Sequence, residues 1–498
     1  MDYSDKKIGI LGFGVENQAL FQWLINHKSN DITICDKNPK LEIRNPKQIQ
    51  NPKSETKNIK IKYRLGKDYL KNLTDFDVVF RTPGISPLTP ELVRAKKKGV
   101  GISSEIKLFM DLCPARTIGV TGTKGKGTTS SLIFEILKSN FQFLLRPRSG
   151  RAISNFQTNI QNLIPKTKIY LGGNIGNAPI EFLDKLTKDD VVVLELSSFQ
   201  LMDLEKSPNI AVVLDIESDH LDYHKNRTEY VSAKENIVRH QSKKDYTVIN
   251  LDYLTSYKFA AISKTENDYY FSRRKSVDLG TYVEWTPINN GANFGKIILR
   301  TPKKDYEICK TYDIILRGEH NLENITAAIT ASYLAGASVD VIKKVVVKFP
   351  GLEHRLEYVG DSNGVKFYND SFSTTPETAI AAIKSFSEPI VLIAGGSEKG
   401  ADYSLLAKEI LNSSVKTLIA IGVTGPKIIK EISNFQFPIS KIKVIKNLDS
   451  MKKIIKIAVE ESKPGDVVLL SPASASFGLF KNYKDRGNQF REEVGKIT

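Results

Sequence analysis

A glycine-rich segment between an apolar run and a helical pattern constrains this chain most. Residues 122–129 (GTKGKGTT) follow a strand-like run at 117–120 and precede a helical pattern at 130–138. In this order, backbone N–H groups, a lysine and a helix N-terminus converge on a polyphosphate. The strict GxxxxGK[ST] spacing is not met, because Gly127 occupies the usual hydroxyl position. We therefore predict a nucleotide-binding loop in which Thr128 replaces that hydroxyl as a magnesium ligand.

Two polar positions further along the chain extend this prediction. The apolar run at 191–195 ends in Glu195, where an acidic residue of a phosphate-loop protein reaches magnesium. His220 lies in a dense polar motif, DHLD at 219–222, and is either a metal ligand or a hydrogen-bonded loop histidine. From the residues alone, Lys234 is an ordinary surface lysine of a helix over 228–240.

The N-terminal residues predict a βαβ unit. Strand patterns at 8–11 and 31–35 flank a helical pattern at 17–26, and the second strand leads into Asp36. Gly12 and Gly14 follow the first strand, where a phosphate could approach the helix N-terminus. Asn17 replaces the third glycine of GxGxxG. An NAD-dependent dehydrogenase would use these groups, but it leaves the loop at 122–129 and Glu195 unexplained.

The remaining pattern indicates three α/β units in series. The chain has 498 residues, which is enough for several domains. Pro350 and Gly351 mark a break in the pattern, and further strand runs follow at 390–394, 417–421 and 466–470. Residues 45–58 and 144–168 are predicted to be loops or insertions.

The composition limits which binding partners and which cellular compartment are expected. The net charge of 72 − 56 = +16 favours a solvated basic surface over a nucleic-acid site. The three cysteines lack zinc or disulfide spacing, and no apolar stretch is long enough to span a membrane. We therefore expect a cytoplasmic protein that binds neither nucleic acid nor membrane.

An ordered set of motifs resembles the Mur ligase family, and within it the glutamate-adding branch. The motifs cover the chain in family order from about residue 9 to 490: GTKGKGTT at 122–129, GGNIG at 172–176, ELSSFQL at 195–201, DHLD at 219–222, YVSAK at 230–234, GEHNLEN at 318–324, GLEHR at 351–355, NDS at 369–371, GGSEKGAD at 395–402, SPASAS at 471–476 and FKNYKDRG at 480–487.

The resemblance implies a three-domain α/β fold. Residues 1–112 would form a Rossmann-like domain for the UDP end of a substrate, 113–350 a P-loop ATP-binding domain, and 351–498 a Rossmann-like amino-acid-binding domain. It also implies a ligase that adds glutamate, with the D form expected, to UDP-N-acetylmuramoyl-L-alanine through an acyl phosphate in peptidoglycan precursor synthesis. We expect the protein to be a monomer. A folylpolyglutamate synthase-like ligase is disfavoured, because about a hundred residues precede the phosphate loop.

The resemblance also implies roles for individual residues. Thr128 and Glu195 would bind one Mg²⁺ ion, and His220 with a carbamylated Lys234 a second. The catalytic set would be Lys126, Glu195, His220, Lys234, Arg355 and Lys399. ATP would contact Gly122, Thr123, Lys124, Gly125, Lys126, Gly127, Thr128, Thr129, Asn321, Asn324, Arg355 and Asp370. The other substrates would contact Gly14, Val15, Asp36, Asn174, Ser197, Gln200, His220, Lys399, Ser476 and Tyr483. Gly127, Lys124 and Phe372 depart from the usual family pattern.

Overall fold

A computed structural model describes residues 2–40, 60–144, 167–217, 219–220, 223–287, 293–398, 400–435 and 442–498. The predicted loop at 45–58, residues 145–166 of the second predicted loop, and Lys399 lie outside this part of the chain. The chain divides into two units: unit 1 comprises Met1–Glu284, Ile297–Ile308 and Glu323–Ile342, and unit 2 comprises Trp285–Lys296, Cys309–Leu322 and Lys343–Thr498.

The first sheet is parallel and lies in unit 1. Its strands are β1 Lys7–Leu11, β2 Asp31–Asp36, β3 Lys60–Leu65, β4 Val78–Arg81 and β5 Gly101–Ser104. Three helices accompany it: α1 Val15–Asn26, α2 Pro90–Lys97 and α3 Glu105–Leu112. The strand order β3-β2-β1-β4-β5 changes direction at β1, so the turn between β1 and α1 opens at the crevice where such sheets bind ligands. The predicted βαβ beginning is confirmed.

The second sheet has nine strands, most of which lie in unit 1. They are β6 Arg116–Thr121, β7 Ile169–Gly173, β8 Val191–Glu195, β9 Ile210–Val213, β10 Tyr246–Asn250, β11 Asp268–Ser272, β12 Gly280–Pro287, β13 Asn293–Arg300 and β14 Asp305–Lys310. Its helices are α4 Lys126–Leu144, α5 Ser198–Leu201, α6 Arg227–Arg239, α7 Leu254–Tyr257, α8 Glu319–Leu334 and α9 Val339–Lys348. The order is β14-β13-β12-β11-β10-β9-β6-β8-β7.

The central strands of this sheet determine where the site lies. β6 pairs in parallel with both β8 and β9, and all three are almost entirely buried. Because parallel strands place their carboxyl ends at one edge of a sheet, the loops after these three strands meet there. The predicted strand–loop–helix at 117–138 is confirmed as β6, a four-residue loop and α4.

The third sheet lies in unit 2. Its strands are β15 Glu357–Ser362, β16 Val365–Asn369, β17 Ile390–Gly396, β18 Val415–Gly422, β19 Lys443–Ile445 and β20 Val467–Leu470. Its helices are α10 Pro376–Ile383, α11 Ser404–Asn412, α12 Gly425–Asn434, α13 Met451–Glu460 and α14 Tyr483–Gly495. The order is β15-β16-β20-β17-β18-β19, parallel except for the edge strand β15. Three sheets with helices between the strands confirm the predicted α/β class.

Membrane insertion through a helix finds no support in the part of the chain that the structure describes. None of the helices there combines the length and the apolar character that crossing a bilayer requires.

Candidate active site

The loop between β6 and α4 is shaped around a glycine. Gly125 has a φ of +80°, and a Cβ atom at this position would lie 2.1 Å from Oδ1 of Asn324 on α8. The Thr129 hydroxyl donates to the same oxygen at 3.3 Å. Only glycine therefore satisfies both the left-handed backbone and the close approach of Asn324. The structure thus brings together two groups that the sequence separates by about 200 residues.

The lysine of the loop folds back over it. Lys126 Nζ donates to the carbonyl oxygens of Gly122, at 3.0 Å, and Thr123, at 3.1 Å. Thr128 lies in the first turn of α4 and is buried. A cationic group above a helix N-terminus is suited to bind a phosphate group, because both attract negative charge.

Asp215 secures the loop, and sequence reasoning missed it. Its backbone oxygen accepts from Thr123 N at 2.7 Å, and its Oδ1 accepts from Lys124 N at 3.1 Å. Burial raises the pKa of this carboxyl group. The only signal in the sequence is that Asp215 lies near the end of an apolar run over 210–216.

Lys234 is buried beside the loop, so the reading of it as an ordinary surface lysine was wrong. Its side chain projects from α6, it is 1% exposed, and Nζ donates to Thr121 Oγ1 at 3.2 Å and to the Gly122 carbonyl at 2.9 Å. Burial, reinforced by the positive charge of Lys126, holds the pKa of Lys234 well below its ordinary value. These surroundings therefore shift Lys234 towards its neutral amine form.

Tyr230 connects α6, the helix that carries Lys234, to the loop. Its hydroxyl lies 3.0 Å from Thr123 Oγ1, which also accepts from Glu217 N at 2.8 Å. Lys234 Nζ lies 4.9 Å from the centre of the Tyr230 ring. Burial raises the pKa of Tyr230 to about 12, so its hydroxyl stays protonated and fixes α6 against the loop.

Glu195 ends β8 beside the GGNIG motif. Its Oε1 accepts from Asn174 Nδ2 at 3.0 Å, and its backbone oxygen accepts from Asn174 N at 2.9 Å. Within the described residues, its second carboxylate oxygen accepts no protein hydrogen bond. The structure therefore unites Glu195 and Asn174, and it leaves one hard oxygen of the kind that Mg²⁺ prefers.

Ser197 and Gln200 form the capping box of α5. Gln200 Oε1 accepts from Ser197 N at 3.0 Å, while Ser197 Oγ accepts from Gln200 N at 3.3 Å. The Gln200 amide also donates to Glu16 Oε1 on α1 at 2.7 Å. Both residues thus have structural partners within unit 1, and their contacts with a substrate remain predictions.

His220 lies on an exposed turn. It has a φ of +52°, its Nε2 lies 3.5 Å from Asp219 Oδ2, and its ring packs against Phe199. Across the described ranges, no three His, Cys, Asp or Glu side chains are grouped so as to hold a metal ion. The structure does not assemble His220 with other protein ligands, and its metal role remains a prediction.

The turn between β1 and α1 explains the missing third glycine. Asn17 Nδ2 donates to the carbonyl oxygens of Leu11, at 3.0 Å, and Gly12, at 2.7 Å. Asp36 Oδ2 accepts from Phe13 N at 2.7 Å. Asn17 and Asp36 therefore hold the turn closed. Gly14 caps α1, and Val15 beside it is 76% exposed.

In unit 2, Asp370 is buried and Arg355 is exposed. Asp370 accepts from Leu356 N at 3.2 Å and from Ser471 Oγ at 2.8 Å, and burial raises its pKa to about 7. The Arg355 guanidinium carbon lies 4.1 Å from the centre of the Phe372 ring. Phe372, which the resemblance marks as a departure from the usual pattern, presents a ring on which Arg355 stacks.

A buried arginine that sequence reasoning did not assign joins two predicted motifs of unit 2. Arg486 donates to Ser371 Oγ at 2.9 Å and to the Ser474 carbonyl at 3.1 Å. Burial lowers its pKa to about 10. Ser476 is buried, and the backbone oxygen of Tyr483 accepts from Ser371 Oγ at 2.8 Å. Asn321, at the start of α8, donates to the Arg317 carbonyl at 2.6 Å.

Three family models match successive parts of the chain. They are described as the MurD N-terminal domain, at residues 7–90, the Mur ligase middle domain, at 120–332, and the Mur ligase glutamate ligase domain, at 354–474.

Curated relatives match over nearly the whole length. A UDP-N-acetylmuramoylalanine–D-glutamate ligase of Acetivibrio thermocellus is 39% identical, covering 99% of this chain and 97% of the relative. Enzymes of the same name from Ruminiclostridium cellulolyticum and Symbiobacterium thermophilum are 36% and 37% identical, with 100% and 99% of this chain and 98% of each relative covered.

Solved structures share the fold at low identity. The UDP-N-acetylmuramate-alanine ligase of Thermotoga maritima gives a TM-score of 0.53 at 17% identity, with 99% of this chain and 100% of that chain covered. The MurF ligase of the same organism, in complex with ADP, gives 0.54 at 16% identity, with 99% and 95% covered.

Proposed function

The chain belongs to the Mur ligase family, and from that premise we propose that it joins D-glutamate to UDP-N-acetylmuramoyl-L-alanine at the expense of ATP. The observation that carries the proposal is the glycine loop of β6 and α4, with Lys126 above it and the buried Lys234 beside it. A loop of this kind supports phosphoryl transfer. The matching N-terminal model supports a glutamate-adding substrate set.

The chemistry needs an activated carboxyl group. An alanyl carboxylate oxygen attacks the γ-phosphorus of ATP, the bond to ADP breaks, and an acyl phosphate forms. The amine of glutamate then attacks the carbonyl carbon, loses a proton, and phosphate departs with the electrons of the broken C–O bond. Phosphate is a far better leaving group than oxide, which explains why the carboxylate is phosphorylated first.

Lys126 is proposed to neutralise charge in the first step. Two anions approach each other there, and a fixed cation lowers the energy of the transition state more than that of the separated reactants. Its ammonium group already donates to two carbonyl oxygens of the loop, so the side chain needs little reorganisation before the reaction.

The polar groups in the first turn of α4 and at the end of β8 are suited to hold Mg²⁺. We propose that the Thr128 hydroxyl and Glu195 hold one ion, since both supply hard oxygen ligands and one Glu195 oxygen has no protein donor in the described structure. His220 and a carbamylated Lys234 are the proposed ligands of a second ion. Bound there, the ions would offset the negative charge of the phosphates.

The surroundings of Lys234 support the proposed carbamylation. The neutral amine attacks CO₂, an N–C bond forms, one electron pair of a C=O bond moves to oxygen, and one proton leaves, so a neutral amine becomes an anionic carbamate. Burial and the nearby Lys126 both favour the neutral amine that this step requires. The product would carry a negative charge next to Lys126, which stabilises it.

The other assignments are proposals carried by the family resemblance. For ATP they are Gly122, Thr123, Lys124, Gly125, Gly127, Thr129, Asn321, Asn324, Arg355 and Asp370. For the other substrates they are Gly14, Val15, Asp36, Asn174, Ser197, Gln200, Lys399, Ser476 and Tyr483. The three domain boundaries, a monomeric state, a cytoplasmic location and the absence of nucleic-acid binding likewise remain predictions.

One experiment tests the reaction. Phosphate release from ATP is measured with UDP-N-acetylmuramoyl-L-alanine against a panel of amino acids that includes both glutamate enantiomers, and the joined product is identified by mass spectrometry. We expect product with D-glutamate, and product formation and phosphate release that are both lower by orders of magnitude with Lys126→Ala. ATP cleavage without any joined product, whichever acceptor is offered, would contradict the proposal.

A further inference from the structure

A carboxylate next to the loop-contacting Asn324 has no role in the function described so far. Glu323 is buried, and its Oε1 accepts from Arg273 Nε at 2.6 Å and from Tyr253 OH at 3.1 Å. Its Oε2 accepts from Asn250 Nδ2 at 3.3 Å. Three donors from two segments of the chain, residues 250–253 and Arg273, therefore converge on one side chain of α8.

These donors come from the carboxyl ends of neighbouring strands. Asn250 is the last residue of β10 and Arg273 follows β11, so both lie at the edge of the sheet that also carries the glycine loop. Asp252 Oδ2 accepts from the backbone N–H of Arg273 at 2.9 Å. The arginine is thus fixed through its backbone as well as through its side chain.

The position of Glu323 determines that of its neighbour. Asn324 Oδ1 approaches Gly125 so closely that a Cβ atom there would lie 2.1 Å away, and it accepts from Thr129 Oγ1 at 3.3 Å. Successive residues of a helix move together, so a shift of Glu323 by a few tenths of an ångström displaces Asn324 from the loop.

The energetics favour a rigid arrangement. Glu323 and Arg273 are largely shielded from water, with side-chain exposures of 10% and 19%. Hydrogen bonds to charged groups in such surroundings are strong, and removing one partner leaves the other buried without its counter-charge. The contact between α8 and the strand ends is therefore not freely adjustable.

We propose that Glu323 is a positioning residue for the nucleotide: the donors at the ends of β10 and β11 hold it, and it holds Asn324 against the phosphate loop. This inference rests on the proposed function, because that function assigns the loop to ATP. Glu323 itself touches no reacting atom.

The test compares Glu323→Gln with wild type in two measurements on the full chain. Binding of Mg-ADP is measured by calorimetry, and KM and kcat are measured for ATP. We expect the dissociation constant of ADP and the KM of ATP to rise about tenfold or more, with a smaller change in kcat and no change in the KM of the UDP substrate. Asp305→Asn, which breaks an exposed pair with Arg300, is the matched control and should change none of these values.

A double-mutant cycle separates positioning from general stability. In an Asn324→Ala background, Glu323→Gln should have no further effect on ADP binding, because Glu323 acts through Asn324. A stability role alone would lower the melting temperature equally in both backgrounds. Tyr253→Phe, which removes one donor and keeps the ring, should weaken ADP binding about threefold and serves if Glu323→Gln does not fold.

Several results would overturn the inference. They are unchanged ADP binding in Glu323→Gln or Tyr253→Phe, an undiminished effect in the Asn324→Ala background, or a wild-type chain that does not bind Mg-ADP. If wild type binds ADP but forms no joined product, the proposed ligation fails while the ADP measurements still decide the role of Glu323.

Discussion

Substitution of Gly125 by alanine provides a direct test of the loop geometry. Gly125 combines a left-handed backbone with a neighbour at collision distance: φ is +80°, and the added Cβ would lie 2.1 Å from Asn324 Oδ1. Gly99 isolates the first of these effects. It has a φ of +91°, and nothing lies within 4 Å of its added Cβ.

The two substitutions should differ in magnitude. A left-handed alanine costs about 1–2 kcal/mol relative to glycine, which is the whole loss expected for Gly99→Ala. In Gly125→Ala, Asn324 must also move away, which breaks the bond from Thr129 Oγ1 and leaves a buried polar group unsatisfied for about a further 1–3 kcal/mol. The total expected loss of unfolding free energy is about 2–5 kcal/mol.

Urea denaturation of wild type and both variants measures these losses, and calorimetry measures the affinity for Mg-ADP. We expect Gly125→Ala to weaken ADP binding and Gly99→Ala to leave it unchanged. The double variant Gly125→Ala, Asn324→Ala lacks the oxygen that collides with the added Cβ atom. Its loss of unfolding free energy should therefore exceed that of Asn324→Ala only by the cost of the left-handed alanine. Equal losses in Gly99→Ala and Gly125→Ala, with unchanged ADP affinity, would refute this account of the loop.

Other perturbations have equally definite expectations. Lys126→Ala should reduce turnover about 10²- to 10³-fold with folding intact, and near-normal steady-state turnover would remove its assignment. Lys234→Ala should lose activity that added short-chain carboxylic acids partly restore; full activity without rescue would contradict the carbamate role. Burial raises the pKa of Glu105 to about 8, so its folded state keeps a proton that the unfolded chain releases. Stability should therefore fall by up to about 1.4 kcal/mol per unit as pH rises from about 4.5 to 8. Glu105→Gln should flatten this slope in urea denaturation, and an unchanged slope would refute the assignment. Arg486→Met should lower the melting temperature of unit 2, because Ser371 and Ser474 lose their donors; an unaltered calorimetric transition would argue against that network.

Local patterns predicted the elements around the site well. The run at 191–195 is β8, the run at 117–120 lies within β6, and the helical pattern at 130–138 lies within α4. These succeed because burial on both faces of a parallel strand requires a continuous apolar run, and such a run is visible without knowledge of its neighbours. The same reasoning placed Glu195 at a strand end.

Burial of polar residues could not be predicted in this way. Lys234 has the local pattern of a surface lysine, yet Nζ bonds Thr121, 113 positions earlier in the chain. Asn17 breaks a glycine fingerprint, yet its amide secures the carbonyl oxygens of the same turn. The helix pattern around Lys234 carries no information about which strand end its side chain meets.

The sequence by itself determined the α/β class, the order of the elements and the family, because these follow from short-range periodicity and from motifs that keep their order. Only the tertiary structure decided that Lys234 is buried, that Asp215 secures the loop, that Glu323 on α8 contacts strand ends, and that Asn324 beside it contacts the glycine loop. Each of these depends on contacts between segments far apart in the chain. Such contacts set the local dielectric and the hydrogen-bond partners, and with them the charge states that the chemistry requires.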